Sequence, residues 1–309
     1  MVIHGSREEG VWGCARDDHG RMSWEEVFRD AAVRVASREL LMSYGASGRM
    51  LTSAVAAGHL IRARRDKYLL PSESSSLLDA VRIGGRLGCL SALEDAGIFV
   101  EDAGFSHVHL DHTMSRLRSP RSRFAPFTER DRGGAHLHWR PLVYPEHAVP
   151  WSVGVEDALL QSLRCQPPIR ALASIDNALH LGMVIPTAID RILASGPASS
   201  LWLSGYVDGR AEAGQETVLR MIAIDAGFVP ELQVVIPGVG RVDMVVAGRL
   251  VLEADSRLAH DGWEHHVEDR RRDLALAAAG YMSLRPAYQH TMHNPLLVRS
   301  AILGLLQSR

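Results

Sequence analysis

The amino-acid sequence predicts a multidomain protein of the α/β (α+β) class. Its 309 residues suffice for about two or three domains of ordinary size. Near the N-terminus, apolar residues recur at helical spacing and two short strand patterns follow. In the C-terminal third, two apolar strand patterns flank a glycine turn between helical segments. The predicted regions are a flexible polar tail (1–22), a small helical region with a hairpin (23–71), a mixed α/β middle domain (77–200) and a C-terminal α/β domain with a central mixed sheet (205–309).

The composition narrows the classes of function. With 46% hydrophobic and 23% charged residues, the chain is an ordinary globular protein. No apolar run reaches the ~18 residues of a membrane span, and the three scattered cysteines form no disulfide framework. We therefore expect a cytoplasmic protein without a membrane partner. The formal net charge of −2 argues against a protein that coats nucleic acid with its whole surface. Without a Gly-rich phosphate loop or a Gly-x-Ser-x-Gly elbow, a nucleotide cofactor and serine-hydrolase chemistry are not expected.

Residues 23–71 show the pattern of three helices and a hairpin. Ser23 caps the first helix, Ser47 opens the third, and residues 59–71 form two short strands. This is the layout of a winged helix-turn-helix, whose third helix and wing contact DNA. The residues predicted to bind DNA are Arg49 and Thr52 on the third helix and Arg62, Arg64, Arg65 and Lys67 on the wing. The alternative is a winged helix that makes only protein contacts, with solvated arginines. A predicted polar, basic loop at 115–123 would add to a DNA surface.

The stretch RVDMVVAGRLVLEAD (241–255) predicts a β-hairpin with a three-residue turn centred on Gly248. In this register Asp243 faces Glu253, with Cβ atoms about 4.5–5.5 Å apart, and strand alternation puts Asp255 on the same face as Glu253. Three carboxylates so placed repel and raise one another's pKa, a conflict that a divalent cation such as Mg²⁺ removes. Periodicity alone leaves open a longer turn with a slipped register, which would point the acids to solvent.

Further functional residue types flank this hairpin. Glu216 lies early in the preceding predicted helix, and His260 follows Asp255 by five residues, ahead of a helix that carries Arg272. The order helix-Glu, strand-Asp, Glu-x-Asp, His and Asp-x-x-Arg-Asp, over about residues 205–290, resembles the Vsr-like branch of the PD-(D/E)xK nucleases. These enzymes have the restriction-endonuclease-like fold. The N-terminal half, through RIGGRLGCLSALE, resembles the AbiEi-type antitoxin domain.

The resemblance implies a Mg²⁺- or Mn²⁺-dependent endodeoxyribonuclease that hydrolyses phosphodiester bonds in DNA. Asp243 and Glu253 would hold the metal, and Glu216 would support the site from its helix. His260 would act as general base or contact the leaving group, and Arg272 would contact phosphate or lock its helix to the sheet. The implied catalytic residues are Glu216, Asp243, Glu253, Asp255 and His260. The relation to mismatch endonucleases favours mispaired or damaged DNA as substrate, and hence DNA repair.

Departures from the family pattern support a second interpretation. Asp255 stands where the family places its lysine, and Ser256 and Ala259 replace its usual glycine and first histidine. The alternative function is a DNA-binding transcriptional regulator or antitoxin with an inactive nuclease fold. The sequence does not choose between a monomer and a homodimer.

The sequence HVHLDH (107–112) matches the HxHxDH pattern of metallo-β-lactamase-fold hydrolases, whose histidines bind zinc. The strand-to-helix context of that fold is missing, because a basic stretch follows the motif. His136 and His138, on the next predicted strand, are placed to complete a metal cluster. The interpretation we favour is one of partly exposed histidines on a half-buried sheet.

Overall fold

The computed structural model describes residues 23–101, 104–254 and 263–307, and for 263–269 it describes the backbone alone. This part of the chain is mixed α/β with several small sheets. None of the described helices is both long and apolar enough to cross a membrane. The chain divides into two compact units. The first takes its described residues from Met1–Leu87, Gly104–Pro141 and Ala148–Val153, and the second from Gly88–Ala103, Leu142–His147 and Gly154–Arg309.

The predicted regions are distributed over these units. The predicted middle domain, 77–200, contributes residues to both units. The predicted tail, 1–22, lies outside the described residues. The elements of the first unit are helices α1 (Trp24–Asp30), α2 (Arg38–Ser43), α3 (Gly48–Ala56) and α4 (Ser75–Ile83), strands β1 (Ile61–Arg64), β2 (Lys67–Leu69), β3 (Arg86–Leu87), β4 (Ser106–His109), β5 (Arg118–Ser119), β6 (Ser122–Pro126) and β7 (Ala135–His138), and a 3-10 helix (Glu129–Gly133).

Serine caps begin the helices of the first unit. The hydroxyls of Ser23, Ser37, Ser47 and Ser74 each accept a hydrogen bond from the amide three residues later, which satisfies a donor that the first helical turn leaves unpaired. Strands β1 and β2 pair antiparallel. The three helices and the hairpin predicted within residues 23–71 are therefore confirmed as elements. Their apolar core consists of Trp24, Val27, Phe28, Ala36, Leu41, Ala46, Leu51, Ala54, Leu60 and Tyr68.

Two small sheets complete the first unit. In one, β4 pairs antiparallel with β3 and parallel with β7. In the other, β5 and β6 pair antiparallel, so the loop predicted at 115–123 is wrong in part. A hydrogen bond explains why sequence periodicity missed this hairpin: Ser119 Oγ donates to Oδ1 of buried Asp131 over 2.7 Å. An anchor of this kind leaves no alternating apolar pattern in the strands.

The second unit is richer in helices. Its elements are helices α5 (Cys89–Asp95), α6 (Val155–Cys165), α7 (Pro168–His180), α8 (Pro186–Ser195), α9 (Gly214–Asp225), α10 (Trp263–Ala278), α11 (Tyr288–His293) and α12 (Pro295–Gln307), strands β8 (Glu231–Ile236), β9 (Gly240–Val246), β10 (Leu250–Leu252) and β11 (Met282–Leu284), and 3-10 helices at Pro145–His147 and Ala198–Tyr206.

Helix α9 is the central helix of the second unit. Its residues from Gly214 to Ala223 are buried, which is typical of a helix packed on several sides. Gly214 fits because Phe99 lies against the start of the helix: a Cβ atom there would lie 2.0 Å from Phe99 Cδ1. Any larger residue would push α9, and the side chains that it carries, out of place.

The four strands of the second unit form one mixed sheet with the order β11-β10-β9-β8. Strands β8, β9 and β10 are successively antiparallel, and β11 is parallel to β10. Val246 pairs with Leu250, and Gly248 adopts a φ of 67° in the turn, as predicted. The predicted register of this hairpin is thus confirmed as far as the pair Met244–Leu252, where β10 ends.

The apolar residues of β9 divide between two cores, although simple alternation would put Val242 with Met244 and Val246. Met244 and Val246 pack in a core with Val218 of α9 and Ile302 of α12. Val242 and Val245 lie in a second core with Leu276 of α10. Helices therefore cover both faces of the sheet. The intervening residue, Asp243, lies in the middle of this apolar strand.

Candidate active site

Asp243 lies opposite an unusual residue of the neighbouring strand. The pairs Leu232–Met244 and Val234–Val242 place Gln233 between them, across from Asp243. Gln233 has a φ of 53°, a left-handed conformation that costs a residue with a side chain of order 1 kcal/mol. Strain of this kind persists only where surrounding contacts maintain it, and it is enriched at functional sites. The strain therefore identifies this position as a candidate site.

Glu216, near the start of α9, reaches the same place. Its Oε2 accepts hydrogen bonds from Gln233 Nε2 and from the amide of Glu212, both over 3.1 Å. Its Oε1 accepts one from the amide of Ala213, also over 3.1 Å. These bonds fix a carboxylate that is only 8% exposed. Three consecutive elements, α9, β8 and β9, thus bring Glu216, Gln233 and Asp243 together.

These three residues line one small cavity. The other lining residues are Ala211, Arg220, Leu232 and Met244. The side-chain oxygen Oε1 of Gln233 is buried and has no hydrogen-bond partner within the described residues. An unpaired buried acceptor is costly, about 1–3 kcal/mol, and calls for an explanation. A bound cation, which attracts oxygen atoms, would explain this unpaired acceptor.

The two acids of the cavity are short of positive charge. Burial, and next the charge of Asp243, raise the pKa of Glu216 to about 7, against the pull of its backbone hydrogen bonds. Burial, opposed by the hydrogen bond from the amide of Ala254 and reinforced by the charges of Glu253 and Glu212, raises the pKa of Asp243. Arg220 also lines the cavity, but its Nη2 donates to Asp176 Oδ2 over 2.7 Å.

Glu253, the predicted partner of Asp243 in metal binding, is held by two arginines. Arg272 Nη2 lies 2.7 Å from Oε1 of Glu253, and Arg285 Nε lies 2.7 Å from Oε2. Arg272 also donates to the backbone carbonyl of Arg241. Meanwhile Asp243 Oδ2 accepts a hydrogen bond of 2.8 Å from the amide of Ala254. Within the described residues, the charge of Glu253 is thus balanced by protein groups.

Of the remaining predicted site residues, the structure describes Arg272 but neither Asp255 nor His260. Asp255 and His260 lie outside the described residues. Arg272, predicted to contact phosphate or to lock its helix to the sheet, makes the contacts just given. Sequence reasoning missed Arg285 and the strained backbone of Gln233. Counting along the strands from Gly238 places Gln233 across from Asp243, but no sequence signal announces its left-handed conformation.

The residues predicted to bind DNA all belong to the first unit except Arg272. The exposed ones are Arg49, Thr52, Arg62, Arg65 and Lys67. Arg64 instead turns inward, because its guanidinium donates to the backbone carbonyls of Arg82, Ile83 and Arg116 over 3.2, 2.7 and 2.8 Å. In this structure the side chain of Arg64 therefore links β1 to two later segments of the chain.

No protein-family model matches this chain. It is similar to the uncharacterized proteins MT2308 and Rv2248 of Mycobacterium tuberculosis, from strains CDC 1551 / Oshkosh and ATCC 25618 / H37Rv. Each is 33% identical to the chain over a match that covers 36% of the chain and 45% of the relative. The chain thus spans less than half the length of these relatives, and their names state no activity.

Proposed function

We propose that this protein is a metal-dependent DNA endonuclease of the Vsr-like, restriction-endonuclease-like type. The observation that carries the proposal is the cavity that brings together the carboxylates of Glu216 and Asp243 and the unpaired oxygen of Gln233. The mixed sheet covered by helices, with an acid on α9 and another in the middle of β9, agrees with the fold that this nuclease class requires. The motif resemblance over about residues 205–290 supplies the reaction type.

The residues of the cavity fit a divalent cation. Mg²⁺ and Mn²⁺ prefer oxygen ligands from carboxylates, and side-chain amides can serve as well. Glu216, Gln233 and Asp243 offer that donor set, and Gln233 Oε1 gains the partner that it lacks. A cation would also offset the charge of Asp243, which, after burial, is the second cause that raises the pKa of Glu216 to about 7. Glu216, Gln233 and Asp243 would hold the ion. Glu253 would become a further ligand once its ion pairs with Arg272 and Arg285 break.

The chemistry follows from these roles. A divalent ion bound by these residues would polarise a scissile phosphate and lower the pKa of an attacking water. Glu216 must be deprotonated to bind the ion, so protons would compete with the metal as the pH falls below the raised pKa of Glu216. If Glu253 turned to the metal, the charges of Arg272 and Arg285 that it now pairs could attract a phosphate oxygen. The resemblance assigns the water's proton to His260.

The first unit supplies a surface for the DNA backbone. Arg62, Arg65 and Lys67 are exposed on the β1–β2 hairpin, and Arg49 is exposed on α3, whose N-terminus is capped by Ser47. Arginine and lysine at a wing and on the preceding helix match the phosphate and groove contacts of a winged helix-turn-helix. We therefore include duplex DNA as the partner and this unit as its binding module. Mismatched or damaged DNA is the substrate favoured by the resemblance.

One observation favours a second candidate function. The two arginines already neutralise Glu253, as they would in a nuclease fold whose acid has lost its metal. The alternative is a DNA-binding regulator or antitoxin that keeps the fold for stability or for partner contact. The two candidates differ in whether Asp243 is needed for a metal-dependent reaction.

A cleavage assay that compares two aspartate-to-alanine variants tests the proposal. Labelled matched, mismatched and base-damaged duplexes are incubated with the protein in Mg²⁺, in Mn²⁺ and in EDTA. Asp243→Ala should abolish the metal-dependent products and leave duplex binding intact. The matched control is Asp225→Ala, which removes a carboxylate of the same unit that is 72% exposed and should cut like the wild type. Binding without cleavage of any duplex by the wild type would favour the regulator.

A further inference from the structure

Four histidines meet on two neighbouring strands of the first unit. The parallel pairing of β4 and β7 sets His107 beside His136 and His109 beside His138. His107 and His109 are 3% and 2% exposed, so the prediction of partly exposed histidines is wrong for this pair. The strands are separated by 25 residues of sequence, and no sequence signal within the HVHLDH motif fixes this pairing. The proposed endonuclease reaction uses none of these residues.

His107 and His138 are in direct contact. Nδ1 of His107 lies 3.1 Å from Nε2 of His138. The ring centroids of His107 lie 5.2 Å from His136 and 5.4 Å from His138, and those of His136 and His138 are 4.8 Å apart. Two nitrogens bound to one tetrahedral zinc at about 2.0–2.1 Å are themselves about 3.3 Å apart. The observed separation fits a hydrogen bond between the two imidazoles without an ion, and it is also close to that of two imidazoles that share a metal ion.

Arg86, on β3 next to β4, lies 3.4 Å from Asp111, so the positive charge at the edge of this sheet is paired.

We propose that His107 and His138 are ligands of a zinc ion that fastens β4 to β7. Imidazole is a common zinc ligand, and zinc takes three or four protein ligands, so one or two further donors complete the set.

Zinc content of the full chain tests the proposal. The protein is purified in Mg²⁺-free buffer with zinc, freed of loosely bound ions, and its metal content is measured with its melting temperature. His138→Gln is the main variant because His138 is half-buried, and His107→Gln is the second. His112→Gln is the matched control, since it removes an exposed imidazole of the same segment.

We expect about one zinc per chain in the wild type and in His112→Gln, and a loss of zinc in His138→Gln and His107→Gln. Chelation should lower the melting temperature of the wild type and leave that of His138→Gln unchanged. Substoichiometric zinc in the wild type, or full zinc content in His138→Gln, would overturn the proposal.

Discussion

Arg220 and Asp176 form an ion pair in the interior of the second unit. Arg220 Nη2 lies 2.7 Å from Asp176 Oδ2, and the two side chains are 7% and 0% exposed. Asp176 also accepts hydrogen bonds from Thr217 Oγ1 and from the amide of Asp208, both over 2.8 Å. The pair ties α7 to α9. It also directs the charge of Arg220 away from Glu216 and Asp243, so those acids keep their raised pKa values.

Removing Arg220 should destabilise the fold strongly. Arg220→Met leaves a buried carboxylate without its counter-charge, which costs about 3–5 kcal/mol of unfolding free energy. Burial already raises the pKa of Asp176 to about 7. The loss should therefore shrink at pH 5, where Asp176 takes up a proton. Urea unfolding of the wild type and the variant at pH 8 and pH 5 measures both effects.

Arg210→Ala is the control for this experiment. Arg210 bonds to Asp208, but its side chain is 61% exposed, so we expect a loss below about 1 kcal/mol. Equal losses in the two variants would show that burial does not govern the contribution of the Arg220 pair.

The raised pKa of Glu216 predicts that stability falls as the pH rises. The folded state holds the proton of Glu216 up to about pH 7, whereas its ordinary pKa is 4.5. Because the folded state binds more protons between these values, the unfolding free energy decreases across this range, by an amount on the order of 3 kcal/mol. Urea unfolding between pH 4.5 and pH 8 checks this, and Glu216→Gln should flatten the slope. A steeper or unchanged slope in Glu216→Gln would contradict the assignment.

Mg²⁺ should stabilise the protein more at high pH than at low pH. At pH 8 a cation in the cavity binds Glu216 and Asp243 without competition, whereas at pH 5 protons compete for Glu216. At 100 times the dissociation constant, the gain is about 2.7 kcal/mol. Thermal unfolding with and without Mg²⁺ at both pH values measures it. The gain should vanish in Asp243→Asn and persist in Asp225→Asn, and a gain that survives Asp243→Asn would place the ion elsewhere.

Removing one of the two arginines that pair with Glu253 distinguishes the two candidate functions. In a nuclease, Arg285→Met frees one oxygen of Glu253 for the metal, so Mg²⁺ should bind about threefold more tightly, or ~0.7 kcal/mol. In an inert fold the same change leaves Mg²⁺ binding unaffected. Calorimetric titration of Mg²⁺ reads the difference. Arg299→Met, which removes an arginine that pairs with exposed Asp225, is the control.

Arg64 and Arg65 should differ in what their loss does. Arg64→Ala removes hydrogen bonds to three backbone carbonyls and should lower the unfolding free energy by about 1–3 kcal/mol. Arg65 is exposed, so Arg65→Ala should leave stability within about 0.5 kcal/mol of the wild type and weaken duplex binding. Thermal unfolding and a duplex titration at two salt concentrations measure the two effects. Equal stability losses would contradict the tethering role of Arg64.

Local chemistry made several elements predictable from sequence. Ser23 and Ser47 predict the starts of helices because a serine caps an amide only three residues away. Gly248 predicts a turn because the left-handed backbone conformation there favours glycine. The hairpin register followed from the length of that turn. These signals depend on near neighbours in the chain, and the structure confirms them.

Contacts between segments far apart in the chain could not be predicted from the sequence. Glu253 was predicted to face Asp243 and a metal, but its charge is balanced by Arg272 and by Arg285, 32 residues away. The parallel pairing of β4 with β7 escaped for the same reason, because no local pattern encodes which strands meet. Gln233 illustrates a third limit, since its strain arises from its neighbours in space and leaves no trace in composition.

The conformation of Gln233 has a further consequence for the open edge of the sheet. In the described chain, β8 lies at one end of the strand order and carries Val235, which is 71% exposed. An apolar edge strand invites another chain to add to it and so leads to aggregation. The left-handed residue breaks the straight run of peptide groups midway along β8. The backbone turn that brings the side-chain amide of Gln233 to Glu216 thereby also makes this edge a poorer template for an added strand.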